Sequence, residues 1–85
     1  MNINQGNIVY VIRSVNHPDR YYTGLTDNVP RRLQVHNSGG STYTAQLRPW
    51  TLVAFVEFTN PESAASFEKY LKSGSGRAFS KRHFV

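Results

Sequence analysis

Five residues carry the groups best suited to act together: Tyr10, Tyr22, Arg32, His36 and Glu68. Arg32 and His36 are four apart, so any helix spanning them places both on one face. A guanidinium is a planar, permanently charged fork for oxyanions. An imidazole exchanges a proton near neutral pH. Beside phenols and a carboxylate, the pair would suit acid–base work on an anionic substrate. Each residue alone also has an ordinary explanation. The tyrosines can be core aromatics whose hydroxyls reach a partner. Arg32 and His36 can be an exposed helix face, and Glu68 a solvated carboxylate. No Walker loop, HExxH motif, Ser-His-Asp signature or second carboxylate near Glu68 offers a rival site.

Those side chains need elements to hold them. The apolar, β-branched run within Asn7 to Ser14 is too short for a helix and reads as a strand buried on both faces, carrying Tyr10. Val15 to Asp19 is a turn by composition, and Arg20 to Thr26 returns as a second strand carrying Tyr22. Gly24 allows a close approach or bulge near its end. Asp27 or Asn28 can cap a helix with Pro30 in its first turn. There Val29 and Leu33 anchor one face, and Arg32 and His36 are presented on a neighbouring one. Gly39 suits a left-handed end. Ser41 to Pro49 reads as a polar loop, and Trp50 to Phe58 as a third strand. Asn60-Pro61-Glu62 starts a helix with Ala64, Phe67 and Leu71 as its apolar stripe and Glu68 at the stripe's edge. Ser73 to Gly76 reads as a flexible break, and Arg77 to Phe84 as a short basic helix.

At 85 residues the chain reads as one domain, 1–85, with residues 1–6 polar and frayed. Its small core would lean on five tyrosines, five phenylalanines and one tryptophan. With no cysteine, disulfides and thiolate zinc sites are excluded. No apolar run is long enough for a signal peptide or a membrane span, so an intracellular, cytoplasmic protein without a membrane partner is expected. The net charge of +5 is one-sided. Residues 1–68 are formally neutral, whereas Lys69, Lys72, Arg77, Lys81 and Arg82 face no acid in the rest of the chain. That end is a candidate nucleic-acid-binding segment, which would act through counterion release.

Taken in order, Val9-Tyr10-Val11, Tyr22-Thr23-Gly24, the Arg32-Leu33-x-x-His36 helix and Glu68 resemble the GIY-YIG nuclease superfamily. Within it the chain is similar to small stand-alone members that look like the nuclease domain of excinuclease C. The likeness runs from about Asn7 to Phe84 and includes Val35-His36-Asn37 and Leu71 to Phe79. It implies an α+β fold, a three-stranded antiparallel sheet flanked by helices, and metal-dependent cleavage of DNA with little sequence preference, in a DNA-repair setting. RNA is a further possible substrate.

By the same resemblance Tyr10, Tyr22, Arg32, His36 and Glu68 are catalytic, and Glu68 holds Mg²⁺ or Mn²⁺. Such an ion keeps several waters and takes a substrate phosphate as a further ligand. A tyrosine would deprotonate the attacking water, though only about 0.1% of an ordinary phenol is ionised at neutral pH. A neighbouring cation must therefore help, or His36 must relay the proton. Either tyrosine can fill that role. The name-giving letters are only partly kept, but the hydroxyls survive. No Asn follows Asn60, and His83 occupies the region where several members have a late Asn. Two alternatives remain: a non-cleaving nucleic-acid-binding module of this fold, and a protein-interaction domain.

Overall fold

Three strands are built from the three β-branched and aromatic runs: β1 (Ile8–Ser14), β2 (Tyr21–Thr26) and β3 (Trp50–Glu57). The computed structural model describes residues 6–84. All strand pairs are antiparallel, in the order β2-β1-β3, so the earliest strand is the central one. Its neighbours pair both of its edges, and helical residues cover both of its faces, Ala64 and Leu71 on one and Val29 and Leu33 on the other. That is why β1 reads as an unbroken apolar run, with Val9, Tyr10, Val11 and Ile12 all buried. The β1–β3 register shifts between Val11 and Ile12, where β3 accommodates one extra residue.

The two faces carry different partners. Val9 and Val11 pack with Ala64 and Leu71 of α3 (Pro61–Leu71), joined by Phe58, Phe67, Phe79 and Phe84. Tyr10 and Ile12 pack with Val29 and Trp50, joined by Tyr22, Leu33 and Leu47. Val29 opens α1 (Val29–Asn37), whose cap is Asn28: its side chain accepts from Arg31 N–H at 3.1 Å. The end of α1 is tied to β3 through Asn37. Its amide donates to Trp50 C=O at 3.1 Å and accepts from Trp50 N–H at 2.5 Å. Gly39 takes the left-handed conformation past the helix end, with φ +84°.

Two segments depart from the sequence reading. The polar loop contains one helical turn, α2 (Thr42–Ala45), held on the sheet by Trp50 Nε1–H donating to Thr44 C=O at 2.9 Å. The expected break at Ser73 to Gly76 is instead the start of α4 (Gly74–His83). Ser73 Oγ accepts from Gly76 N–H at 3.1 Å, and a serine cap offsets the low helix propensity of the two glycines. The fraying expected of residues 1–6 falls, apart from Gly6, outside the described residues.

Candidate active site

Tyr10 is the buried centre of the site. It is 1% exposed, and its hydroxyl lies 2.7 Å from His36 Nε2. Arg32 Nε–H donates to the same oxygen at 3.3 Å. On the far side of the imidazole, Nδ1 lies 2.7 Å from Thr44 Oγ1, and Thr44 donates onward to Ser41 C=O at 3.4 Å. With its proton committed to that carbonyl, Thr44 accepts from Nδ1–H. Nε2 is then bare and accepts the Tyr10 O–H. The tautomer follows from the partners, and the chain runs Tyr10 to His36 to Thr44 to the backbone.

This path requires close packing at Gly24, which pairs with Tyr10 across the β1–β2 ladder. A Cβ at Gly24 would lie 2.6 Å from the Tyr10 hydroxyl, so only glycine leaves room for the ring. Burial raises the Tyr10 pKa above the ordinary phenol value, with the Arg32 hydrogen bond acting the other way. Burial also lowers the His36 pKa, helped by the Arg32 charge, so the imidazole is neutral at physiological pH. Arg32 is held cationic by its hydrogen bond to Tyr10, with a smaller contribution from the Tyr22 hydroxyl.

His36 is not presented on an exposed helix face. It is 0% exposed and shares the buried side of α1 with Val29. The apolar residues of α1 anchor only its start and middle; near its end the sheet is met by an imidazole with both nitrogens satisfied. Thr44 is the partner the sequence concealed, because it lies in a four-residue helix with no periodic signal.

The open part of the site lies at the edge of β2. A cavity of about 480 Å³ is lined by Tyr22, Gly24, Asp27, Arg32 and Glu68 together with Leu25 and Thr26. Arg32 reaches it from α1 on the Tyr10 side of the sheet, and Glu68 from α3 on the opposite side. The Tyr22 ring lies edge-on to His36, with centroids 5.0 Å apart. Glu68 is ion-paired with Lys72 at 2.5 Å, one helical turn on, and Lys72 Nζ also stands 6.0 Å from the Tyr22 ring centroid. Asp27, which the sequence reading treated only as a possible cap, is a second carboxylate on this cavity wall.

Tyr22, Arg32 and Glu68 therefore share one cavity, while Tyr10 and His36 lie behind it as a buried support. The basic residues of the C-terminal segment separate. Lys72, Arg77 and Lys81 line a neighbouring cavity on the other side of Tyr22, and Lys69 and Arg82 line neither. His83 packs beside Phe79, ring centroids 4.6 Å apart, and lines neither cavity.

The model of the GIY-YIG catalytic domain matches residues 6–82 of this chain. The chain belongs to the GIY-YIG family. A UPF0213 protein of Clostridium perfringens is 39% identical over 67 residues, covering 78% of this chain and 70% of that protein. A structure-specific endonuclease subunit SLX1 of Podospora anserina is 42% identical over 66 residues, covering 71% of this chain. The SLX1 protein of Candida dubliniensis is 37% identical over 82 residues, covering 88% of this chain. This chain spans 19% and 27% of the length of those two fungal proteins. No solved structure matches it. The antiparallel sheet with helices on both faces is the α+β architecture expected from the GIY-YIG resemblance.

Proposed function

We propose that this chain is a nuclease that hydrolyses phosphodiester bonds in DNA, and that the cavity at the β2 edge is where the bond is cut. The observation that carries the reading is the convergence of the Tyr22 ring, the Arg32 guanidinium and the Glu68 carboxylate on one cavity wall. Membership of the GIY-YIG family supports it, as do the fungal relatives named as structure-specific endonucleases.

Arg32 is the anion clamp. Its Nε–H is occupied by Tyr10, which fixes the plane of the fork and leaves the terminal nitrogens for the non-bridging oxygens of a phosphate. Tyr22 is the phenol that meets solvent in the cavity, so it orients the attacking water and takes its proton, with the Arg32 charge beside it. Tyr10 and His36 are positioning residues. His36 takes the Tyr10 proton into its bare Nε2, which turns the lone pairs of that oxygen toward Arg32.

The donors here suit a hard divalent ion. Glu68 offers carboxylate oxygens, Asp27 stands on the same wall, and among the described residues no group of three His, Cys, Asp or Glu side chains is present. A donor set of one or two carboxylates fits Mg²⁺ or Mn²⁺, which keep most of their waters. When bound, such an ion supplies Lewis acidity and charge compensation at the leaving oxygen. No base-reading motif accompanies the cluster, so substrate affinity depends on salt and little on sequence. An intracellular setting in DNA repair belongs to the same reading. Among the described residues no helix is long and apolar enough to cross a membrane.

The test is cleavage of labelled single-stranded, duplex, flap and branched DNA, and of RNA, by wild type and Glu68→Gln with Mg²⁺ or Mn²⁺. Nicking by the wild type that disappears in Glu68→Gln, with DNA binding retained, is the expected outcome. Equal cutting by both, after removal of contaminating nuclease, would sink the assignment of this cavity. Binding without cutting by the wild type would favour a non-cleaving module.

A further inference from the structure

The second cavity, about 470 Å³, lies where β2 meets α3 and α4, and Tyr22 lines both it and the cutting cavity. Its size is within the range of small-ligand sites. One side is aromatic. The Tyr22 and Tyr43 rings have centroids 6.2 Å apart at 38°, and Tyr21 comes from the same strand end. Tyr43 is 56% exposed, and its hydroxyl accepts from Arg20 Nη2–H at 3.3 Å. The rest of the wall is basic: Lys72, Arg77 and Lys81 stand against a single acid, Asp19. The floor is apolar, with Val11, Leu71 and Ala78.

Exposed tyrosine rings beside cations match a nucleotide whose base is free to stack and whose phosphates need charge. A continuous duplex keeps its base faces inside and presents only backbone here. We infer that this cavity is a subsite for an unpaired nucleotide adjoining the scissile phosphate. The enzyme therefore engages single-stranded DNA, or the unpaired strand at a fork or flap, in preference to continuous duplex. The inference rests on the nuclease reading for the direction of the strand, because Tyr22 joins the two cavities. Lys72 serves both sides, paired to Glu68 and placed near the Tyr22 ring.

The experiment measures binding in EDTA, so cleavage cannot interfere. The probes are a fluorescent oligothymidylate, the same strand with abasic positions, and a blunt duplex. The proteins are wild type, Tyr43→Ala, Tyr43→Phe and Lys81→Ala, each checked for fold by circular dichroism. Wild type should bind the single strand more tightly than the duplex or the abasic strand. Tyr43→Ala should weaken single-strand binding about 5- to 160-fold, the range expected for loss of one stacking ring, and leave abasic and duplex binding unchanged. Tyr43→Phe keeps the ring and should bind like wild type. Lys81→Ala should make the salt dependence of single-strand binding shallower by about 0.7 in log–log slope. Unchanged binding by Tyr43→Ala, or an equal loss on all three probes, overturns the subsite. If wild type shows the expected preferences but cuts nothing with Mg²⁺ or Mn²⁺, the nuclease reading fails and the subsite stands. If wild type cuts and Tyr43→Ala keeps its full single-strand affinity, the reverse holds.

Discussion

The two faces of β1 solve the same burial problem in opposite ways. Val9 and Val11 point into an all-apolar layer, where Phe67 meets Phe79 at 90° with centroids 6.0 Å apart and Phe79 meets Phe84 at 86° and 5.4 Å. Tyr10 and Ile12, one residue out of phase, point into a layer that buries a phenol, an imidazole and a threonine hydroxyl in one hydrogen-bonded chain. The apolar face holds by volume and area, so it tolerates imperfect partners and suffers from cavities. The polar face holds by pairing, so one missing partner leaves a buried group unsatisfied. The groups proposed to react gather where the faces meet, at the open edge of β2: Arg32 from the polar side and Glu68 from the apolar side. The apolar layer holds the helix that carries Glu68, and the polar layer holds the guanidinium through Tyr10.

The largest expected effect tests the apolar face. Leu71 is 3% exposed and belongs to the cluster that carries α3. Leu71→Ala should cost about 2–5 kcal/mol of unfolding free energy, measured by urea denaturation. Retention of stability within about 0.5 kcal/mol would mean that α3 is not held by this layer. Next in size is Arg32→Ala, expected to lower the cleavage rate about 10²–10³-fold, as loss of a charge-stabilising donor does. Arg32→Lys should not recover the rate, because an ammonium is not a two-pronged fork. Full rescue by lysine would reduce the role of Arg32 to that of a simple positive charge.

These contrasts explain which parts were legible in the sequence. Strands and helix starts were, because β-branched runs, Asp27-Asn28 before Pro30 and Asn60 before Pro61 are local signals that the fold obeys, with the structure choosing Asn28 over Asp27 as the cap. The apolar face was too, since Ala64, Phe67 and Leu71 fall on one helical stripe. The polar face was only half legible. Tyr10, Arg32 and His36 stood out by type, but an imidazole counts as polar in any periodicity, so its complete burial could not be read from spacing. Thr44 sits in a helix shorter than two turns, and its partner is eight residues away in a segment of loop composition. The start of α4 was hidden by two glycines, whose usual meaning is overridden by the Ser73 cap. The five C-terminal cations form a block in sequence, but helix geometry divides them, leaving Lys72, Arg77 and Lys81 on one cavity.

The polar face is tested by removing one link at a time. Thr44→Val keeps shape but removes the oxygen that His36 Nδ1–H donates to, so a buried donor is left without its acceptor. The expected cost is about 1–3 kcal/mol, together with a fall in cleavage rate as Tyr10 loses its fixed orientation toward Arg32. Thr44→Ser keeps the hydroxyl and should restore both. If Thr44→Val destabilises while leaving the rate at saturating substrate untouched, the chain is structural support without influence on the cutting cavity.

The smallest expected effect concerns proton linkage at His36, and it separates the faces most cleanly because only one of them contains a buried titrating imidazole. The groups facing His36 are Tyr10 at Nε2, Thr44 at Nδ1, the edge-on Tyr22 ring and the Arg32 charge. Burial, followed by the Arg32 charge, lowers its folded-state pKa below the unfolded value of about 6.5. The unfolded chain therefore binds the proton more readily, and acid favours unfolding. The stabilisation from a neutral His36 is fully present above about pH 6.5 and is lost as pH falls from there through the folded-state pKa. Within that window the slope for one group cannot exceed about 1.4 kcal/mol per pH unit. Comparing wild type with His36→Asn cancels the contributions of the other titrating groups. The stability difference between the two should be constant from pH 7 to 8 and shrink steadily on acidification below about pH 6.5. The same comparison made on Leu71→Ala should show no such window, since no titrating group is removed. A His36→Asn difference that stays flat with pH would show that folding does not depress the imidazole pKa, and one that grows toward acid would show that folding favours the charged imidazole, with Tyr10 accepting a hydrogen bond from it rather than donating one.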